Sequence, residues 1–240
     1  MRLIVLIYSM LSYFTFFIVL IYFIGFVGDI FVPKAISTQP ETYSSNALVI
    51  NIGLLLMWGI QHSVMARGWF KNLIVRVIPH HIERSTYVLV SALTLVALML
   101  YWQPMEGTVW QFKNEWIQQL MWGLFGLGWG LSIVSTFLTD HFDLFGLRQA
   151  WLHFVKTTYT AVPFSQHVFY RWIRHPMMLG MLIAFWAAPV MHLDHLVFSL
   201  GMSVYILIGI HFEEKGLAHD LGEAYRAYQK KTKKVIPAVY

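Results

Sequence analysis

Leu3–Val27, LIVLIYSMLSYFTFFIVLIYFIGFV, holds no charged side chain. At about 1.5 Å of rise per residue it is long enough to cross a hydrocarbon core of about 30 Å. A secretory signal has an apolar run of only about 7–15 residues before a small-residue cleavage site. Neither feature fits, so a retained membrane helix is expected. Composition extends that reading to the rest of the chain. Of 240 residues 58% are hydrophobic and 12% charged, whereas soluble domains carry about 25% charged residues. Cysteine is absent, which excludes disulfides, thiolate metal sites and a cysteine nucleophile.

Working outward, further spans are expected at Ala47–Met65, Tyr87–Trp102 and Trp116–Thr139. Ser85 or Thr86 could cap the third. Met177–Met191 and Leu196–His211 form a tight hairpin around Pro189, with arms short enough either to span or to dip in. Leu217, Leu221, Ala224, Tyr225 and Tyr228 recur at helical spacing opposite Lys215, Glu223 and Lys230, so Glu213–Lys231 reads as one interfacial helix that Pro237 ends. The expected fold is an all-α integral membrane protein: a bundle of five to six transmembrane helices, the last two a tight hairpin, with an amphipathic C-terminal helix. It forms a single domain over 1–240. Four N-terminal spans occupy 1–139, and a polar loop, the hairpin and the tail helix occupy 140–240.

Lys and Arg number one (Arg2), one (Lys34), four (67–84), one (Lys113), four (148–174), none in the hairpin turn and six in the tail. That alternation predicts six crossings, with the 67–85 loop, the 140–174 segment and the tail in the cytoplasm. The formal charge of +5 is therefore a topology signal, and no nucleic-acid partner is expected.

Ionisable groups at membrane depth are costly and are functional candidates. His62 ends the second span and reads most simply as a hydrogen-bonded interfacial histidine. Pro176 in Arg174-His175-Pro176 suits a first helical position, and Arg174 could snorkel to lipid phosphates. Glu213-Glu214 stand where the last span ends and want a positive partner, for which Arg174 and a cationic ligand are the candidates. Asp140-His141-Phe142-Asp143 puts two carboxylates and an imidazole in four residues. No histidine pair is spaced i,i+4, and His192/His195 is the one i,i+3 pair. Helical metal sites need such spacing, so no metal is expected.

Arg174-His-Pro-x-x-x-Gly180, preceded by Tyr170 and followed by Glu213-Glu214-x-x-Leu217, Gly222-x-x-Tyr225-x-x-Tyr228 and Ile236-Pro237, resembles the isoprenylcysteine carboxyl methyltransferase superfamily. Gln61-His-Ser-x-Met-Ala-Arg67, Glu83-Arg-Ser-Thr-Tyr87, His141–Gln149 and Ala184–Pro189 look like the methanethiol S-methyltransferases, a branch near the NnrU-like proteins. The resemblance implies a membrane methyltransferase that converts methanethiol and S-adenosylmethionine to dimethyl sulfide and S-adenosylhomocysteine. It places the cofactor pocket on Tyr170, His175, Pro176, Met177, Met178 and Glu213, with the turn at Phe164-Ser165 ahead of them. A bacterial-type inner membrane is expected, with the charge alternation putting the site on its cytoplasmic face. Met178 stands where an aromatic residue is common, and Gln166-His167 where a Pro-Gly turn is common. Gly209 stands where the carboxyl methyltransferases carry the Arg that binds a prenyl substrate, which argues against a prenylcysteine acceptor.

A thiol attacks as thiolate, so a base or a positive group belongs beside the substrate. His141, assisted by Asp143, is the expected base and Arg174 the expected positive group. Two readings stay open: a methyltransferase for another small or lipid acceptor, and a non-enzymatic NnrU-like membrane protein.

Overall fold

A backbone that meets hydrocarbon must satisfy its own polar groups, and helices do so within one segment. The computed structural model describes residues 1–162, 166 and 168–236. Its elements are α1 (Arg2–Gly28), α2 (Ala47–Met65), α3 (Gly68–Ile74), α4 (Glu83–Tyr101), β1 (Thr108–Gln111), α5 (Glu115–Leu138), α6 (His141–Leu144), α7 (Leu147–Phe154), α8 (Pro176–Trp186), β2 (Val190–His192), α9 (Leu193–Asp220) and α10 (Glu223–Lys231). Among the described residues five helices are long and apolar enough to cross a membrane: α1, α2, α4 with its leading 3-10 turn, α5 and α9. Helix α8 is apolar but shorter. Ile4, Ile18 and Leu127 are more than two-thirds exposed, while Ser9, Ser12, Asn51, Ser85 and Ser199 are fully buried. Apolar outside and small polar groups inside is the pattern of helices packed in lipid. The protein is an all-α integral membrane protein.

The chain divides into two compact units, residues 1–105 with 140–163, and residues 106–139 with 164–240. In the first, the polar side chains of α4 meet two neighbours. Ser85 Oγ donates to Ser9 Oγ at 2.8 Å, and Tyr8 and Thr86 share a 2.9 Å bond, which fixes α1 on α4. Toward α2, Gln61 Oε1 accepts from Thr94 at 2.7 Å. Past the end of α4, Asn51 grips the Gln103 backbone with both amide atoms, at 2.7 and 2.8 Å.

In the second unit α5 and α8 touch backbone to backbone. A Cβ on Gly128 would lie 2.6 Å from the Gly180 carbonyl, so only glycine permits the approach. Ser132 Oγ adds a 2.9 Å bond to the Met177 carbonyl. Helix α8 is only about 17 Å long at 1.5 Å per residue, too short for the core. Near its end the Phe185 carbonyl accepts from His195 Nε2 at 3.0 Å and Ser199 Oγ at 2.7 Å, both on α9. Extended chain then carries on to β2, which pairs antiparallel with β1 (Thr108↔His192, Gln111↔Val190). Trp110 Nε1 donates to the Ala188 carbonyl at 3.0 Å. The starts of α5 and α9 thus share one end of this unit. Thr139, Tyr170, Arg174-His175 and Glu213-Glu214 gather at the other.

Three sequence expectations shift. The third span begins at Glu83 rather than Tyr87, so Ser85 is no cap but a buried contact inside the helix. The short sheet was not anticipated. The expected tail helix 213–231 is two helices, because α9 runs unbroken to Asp220 and Gly222, at φ 57°, turns the chain before α10. Glu213 and Glu214 therefore lie inside α9 instead of at a helix terminus, and neither helix dipole accounts for them.

Candidate functional site

The charged cluster lies at one end of the second unit and is built by three segments. Pro176 opens α8 and leaves Arg174 and His175 in the turn before it. Counted from Leu193, Glu213 stands about 30 Å along α9 at 1.5 Å per residue, roughly one hydrocarbon thickness. The tail after α10 returns across both. Arg174 N donates to the Lys233 carbonyl at 2.8 Å and His175 N to the Lys234 carbonyl at 3.1 Å. Ile173 and Lys233 form a parallel bridge.

Arg174 Nε meets Glu214 Oε1 at 2.5 Å, with both side chains about nine-tenths buried. Its Nη1 donates to the Gln229 carbonyl at 3.1 Å and also to the Thr232 carbonyl. His175, 4% exposed, has Nε2 at 3.3 Å from Glu214 Oε1 and Nδ1 at 3.6 Å from Glu213 Oε2. Lys234 Nζ lies 3.9 Å from Glu214 Oε2. Burial holds the His175 imidazole below its ordinary range despite Glu214, so it is neutral at pH 7. Glu213 keeps 46% of its side chain exposed against 10% for Glu214. One carboxylate is spent on the protein; the other is offered to solvent.

Tyrosines back the cluster. Tyr228 donates to the Tyr170 carbonyl at 2.6 Å, and Tyr225 is 1% exposed. Burial pushes the Tyr170 phenol up to about 12 despite a bond to Thr139, and Tyr228 likewise to about 12. Pro176 is buried and Met177 and Met178 are half-buried on the first turn of α8. Phe164 and Ser165 lie outside the described residues.

His141 and Asp143 belong to the first unit. Asp140, in the left-handed region at φ 78°, caps the short α6 by accepting from Asp143 N at 3.1 Å. His141 is buried, and its Nε2 shares a 2.8 Å bond with Tyr13 OH. Phe145 lies edge-on to the His141 ring at 4.8 Å. Burial lowers the His141 pKa, with Asp140 opposing. The Asp143 carboxylate accepts from Arg148 at 2.9 Å and Tyr159 at 3.3 Å. His62 is held by Tyr87 OH at 2.8 Å and Ser91 Oγ at 3.2 Å, and stacks on Trp58. Among the described residues no group of three His, Asp or Glu could hold a metal.

The structure thus joins Arg174, His175 and Glu213 in one cluster and adds Glu214, Lys234 and the tail carbonyls. Glu214 was visible as half of a Glu-Glu pair, but nothing in the sequence divided the two roles. Tyr13, far from His141 along the chain, gave no sequence signal.

Charge gathered at one end of a unit of apolar helices defines the class: an integral membrane protein with a polar site at that end. The family model described as NnrU protein matches residues 49–239, and the chain belongs to that family. It is 43% identical to the methanethiol S-methyltransferase of Crocosphaera subtropica over 99% of this chain and 93% of that one. It is 42% identical to the enzyme of that name from Mycobacterium tuberculosis, over 98% and 97%. Nurim of Bos taurus is 30% identical over 73% of this chain and 66% of its own. No solved structure matches. The protein is a membrane methyltransferase of this family.

Proposed function

We propose that the protein methylates methanethiol, giving dimethyl sulfide, with S-adenosylmethionine as donor. The observation that carries this reading is identity of 42–43% to methanethiol S-methyltransferases over nearly the full length of both chains. The residues suit the donor. Glu213 offers an exposed carboxylate beside His175 Nδ1, acceptor chemistry for an ammonium or a ribose hydroxyl. Tyr170, His175, Pro176, Met177 and Met178 supply the wall around it, with Phe164 and Ser165 assigned to the same role. S-adenosylmethionine supplies a methyl group on a sulfonium, open to in-line displacement and leaving S-adenosylhomocysteine.

The protein's part is to position the reactants and exclude water. His141 is the group we assign the thiol proton. Burial holds its pKa down and so favours the neutral imidazole, the form that can take a proton. Asp143 steadies the α6 turn through Arg148 and Tyr159. Arg174 contributes its charge to the cluster. The site is assigned to the cytoplasmic face of a bacterial-type inner membrane, and no metal is required.

The test is headspace analysis of purified protein given both reactants, beside Glu213→Ala. Dimethyl sulfide from the native protein and not the variant is expected. Donor binding without product would redirect the search to another acceptor. Neither binding nor product would overturn the reading.

A further inference from the structure

Arg174 has two kinds of acceptor at once. Nε is paired with the buried Glu214 carboxylate, and Nη1 reaches two carbonyls of the returning tail, Gln229 and Thr232. The same tail is hydrogen-bonded along its backbone to Arg174 and His175. Lys234 comes round to the second oxygen of Glu214. Glu214 Oε1 also faces His175 Nε2. A neutral imidazole has a single N–H to give. Given to Glu214, it leaves Nδ1 as an acceptor 3.6 Å from the Glu213 carboxylate. With Glu213 ionised, the two acceptors side by side suit a donor from outside the protein.

We propose that Glu214 and Arg174 are positioning residues. Together they clamp the tail strap, residues 229–234, onto the site and fix the tautomer of His175, so that Nδ1 and Glu213 face the methyl donor as a pair of acceptors. Arg174 then acts through Glu214 and the tail, not at the thiolate. The inference rests on the proposed donor site at His175 and Glu213. A planar guanidinium spreads its donors in a fixed fork that reaches a carboxylate on one edge and two carbonyls on another; a lysine ammonium has three donors on one nitrogen and lacks that spread.

The test compares native protein with Glu214→Gln and Arg174→Lys, measuring KM for donor and thiol separately. Both variants are expected to raise the donor KM about tenfold, with thiol KM and kcat within about twofold, the mark of lost uniform donor binding. Their effects should be strongly non-additive with a stop after Lys231, as for groups acting in one network. A second readout needs no activity: limited trypsin cleavage after Lys230, Lys231 and Lys233 should quicken in both variants while cleavage at the exposed Lys156 stays unchanged. An Arg174→Lys protein with native kinetics would overturn the proposal, since charge alone would then suffice. A raised thiol KM with native donor KM would place Arg174 at the thiolate and overturn it as well. Faster cleavage throughout the chain would make the pair a general stability element and also count against it. If the native protein bound no donor, the functional reading would fall, while the tail-cleavage pattern would still decide the clamp.

Discussion

His175 is the buried titratable group at the centre of the cluster, and burial depresses its pKa. The unfolded chain therefore binds a proton near pH 6.5 that the folded chain refuses. Stability is full above about pH 6.5 and declines as pH falls toward the folded-state pKa. Thermal midpoints in detergent should be flat on the alkaline side and drop on the acid side, with a smaller drop in His175→Asn. At His141 the 2.8 Å bond to Tyr13 carries a second expectation. Tyr13→Phe keeps the ring and removes the oxygen, so kcat/KM for the thiol should fall about tenfold, within the range of acid–base effects. Loss of an acceptor for Nε2–H makes the imidazolium less stable, so the acid limb of the pH profile should move to lower pH.

At the scale of elements, α8 depends on its neighbours more than on its own length. Gly128→Val would drive a side chain into the Gly180 carbonyl and Ala184. Overpacking of this kind costs about 1–3 kcal/mol, to be read as a lower thermal midpoint. Gly123→Ala on the same helix meets nothing within 4 Å and, with the better helix propensity of Ala, should leave the midpoint unchanged or slightly raised. The carbonyl at the end of α8 is held by His195 and Ser199. Replacing both by Ala removes two buried hydrogen bonds, at about 0.5–1.5 kcal/mol each, and a detergent melt should show a clear loss.

For the whole molecule the testable quantity is orientation. Within the second unit the β1–β2 end carries Lys113, and the opposite end carries Arg171, Arg174 and the tail lysines. That asymmetry supports a cytoplasmic site. With no cysteine in the chain, single substitutions can be read without background. Lys113→Cys should react with an impermeant maleimide in intact cells, and Lys230→Cys only after the membrane is opened. The reverse pattern would turn the site outward.

The membrane class, the first four long helices and the Arg-His-Pro and Glu-Glu motifs were legible in the sequence, whereas the last long helix was read as a short hairpin arm. Runs without charge and charges in a fixed order are local properties. The length of α8 was not legible, because the helix stops at Trp186 where His195 and Ser199 of α9 take the Phe185 carbonyl of its last turn. Nor was the β1–β2 pairing, which joins residues some eighty positions apart. The unequal fates of Glu213 and Glu214 were hidden for the same reason. Adjacent on one helix, they carry one chemistry in the sequence, and the returning tail and Arg174 bury the second while leaving the first exposed. Local composition decided what enters the membrane; contacts between distant segments decided which charged groups are spent on the fold and which remain for a ligand.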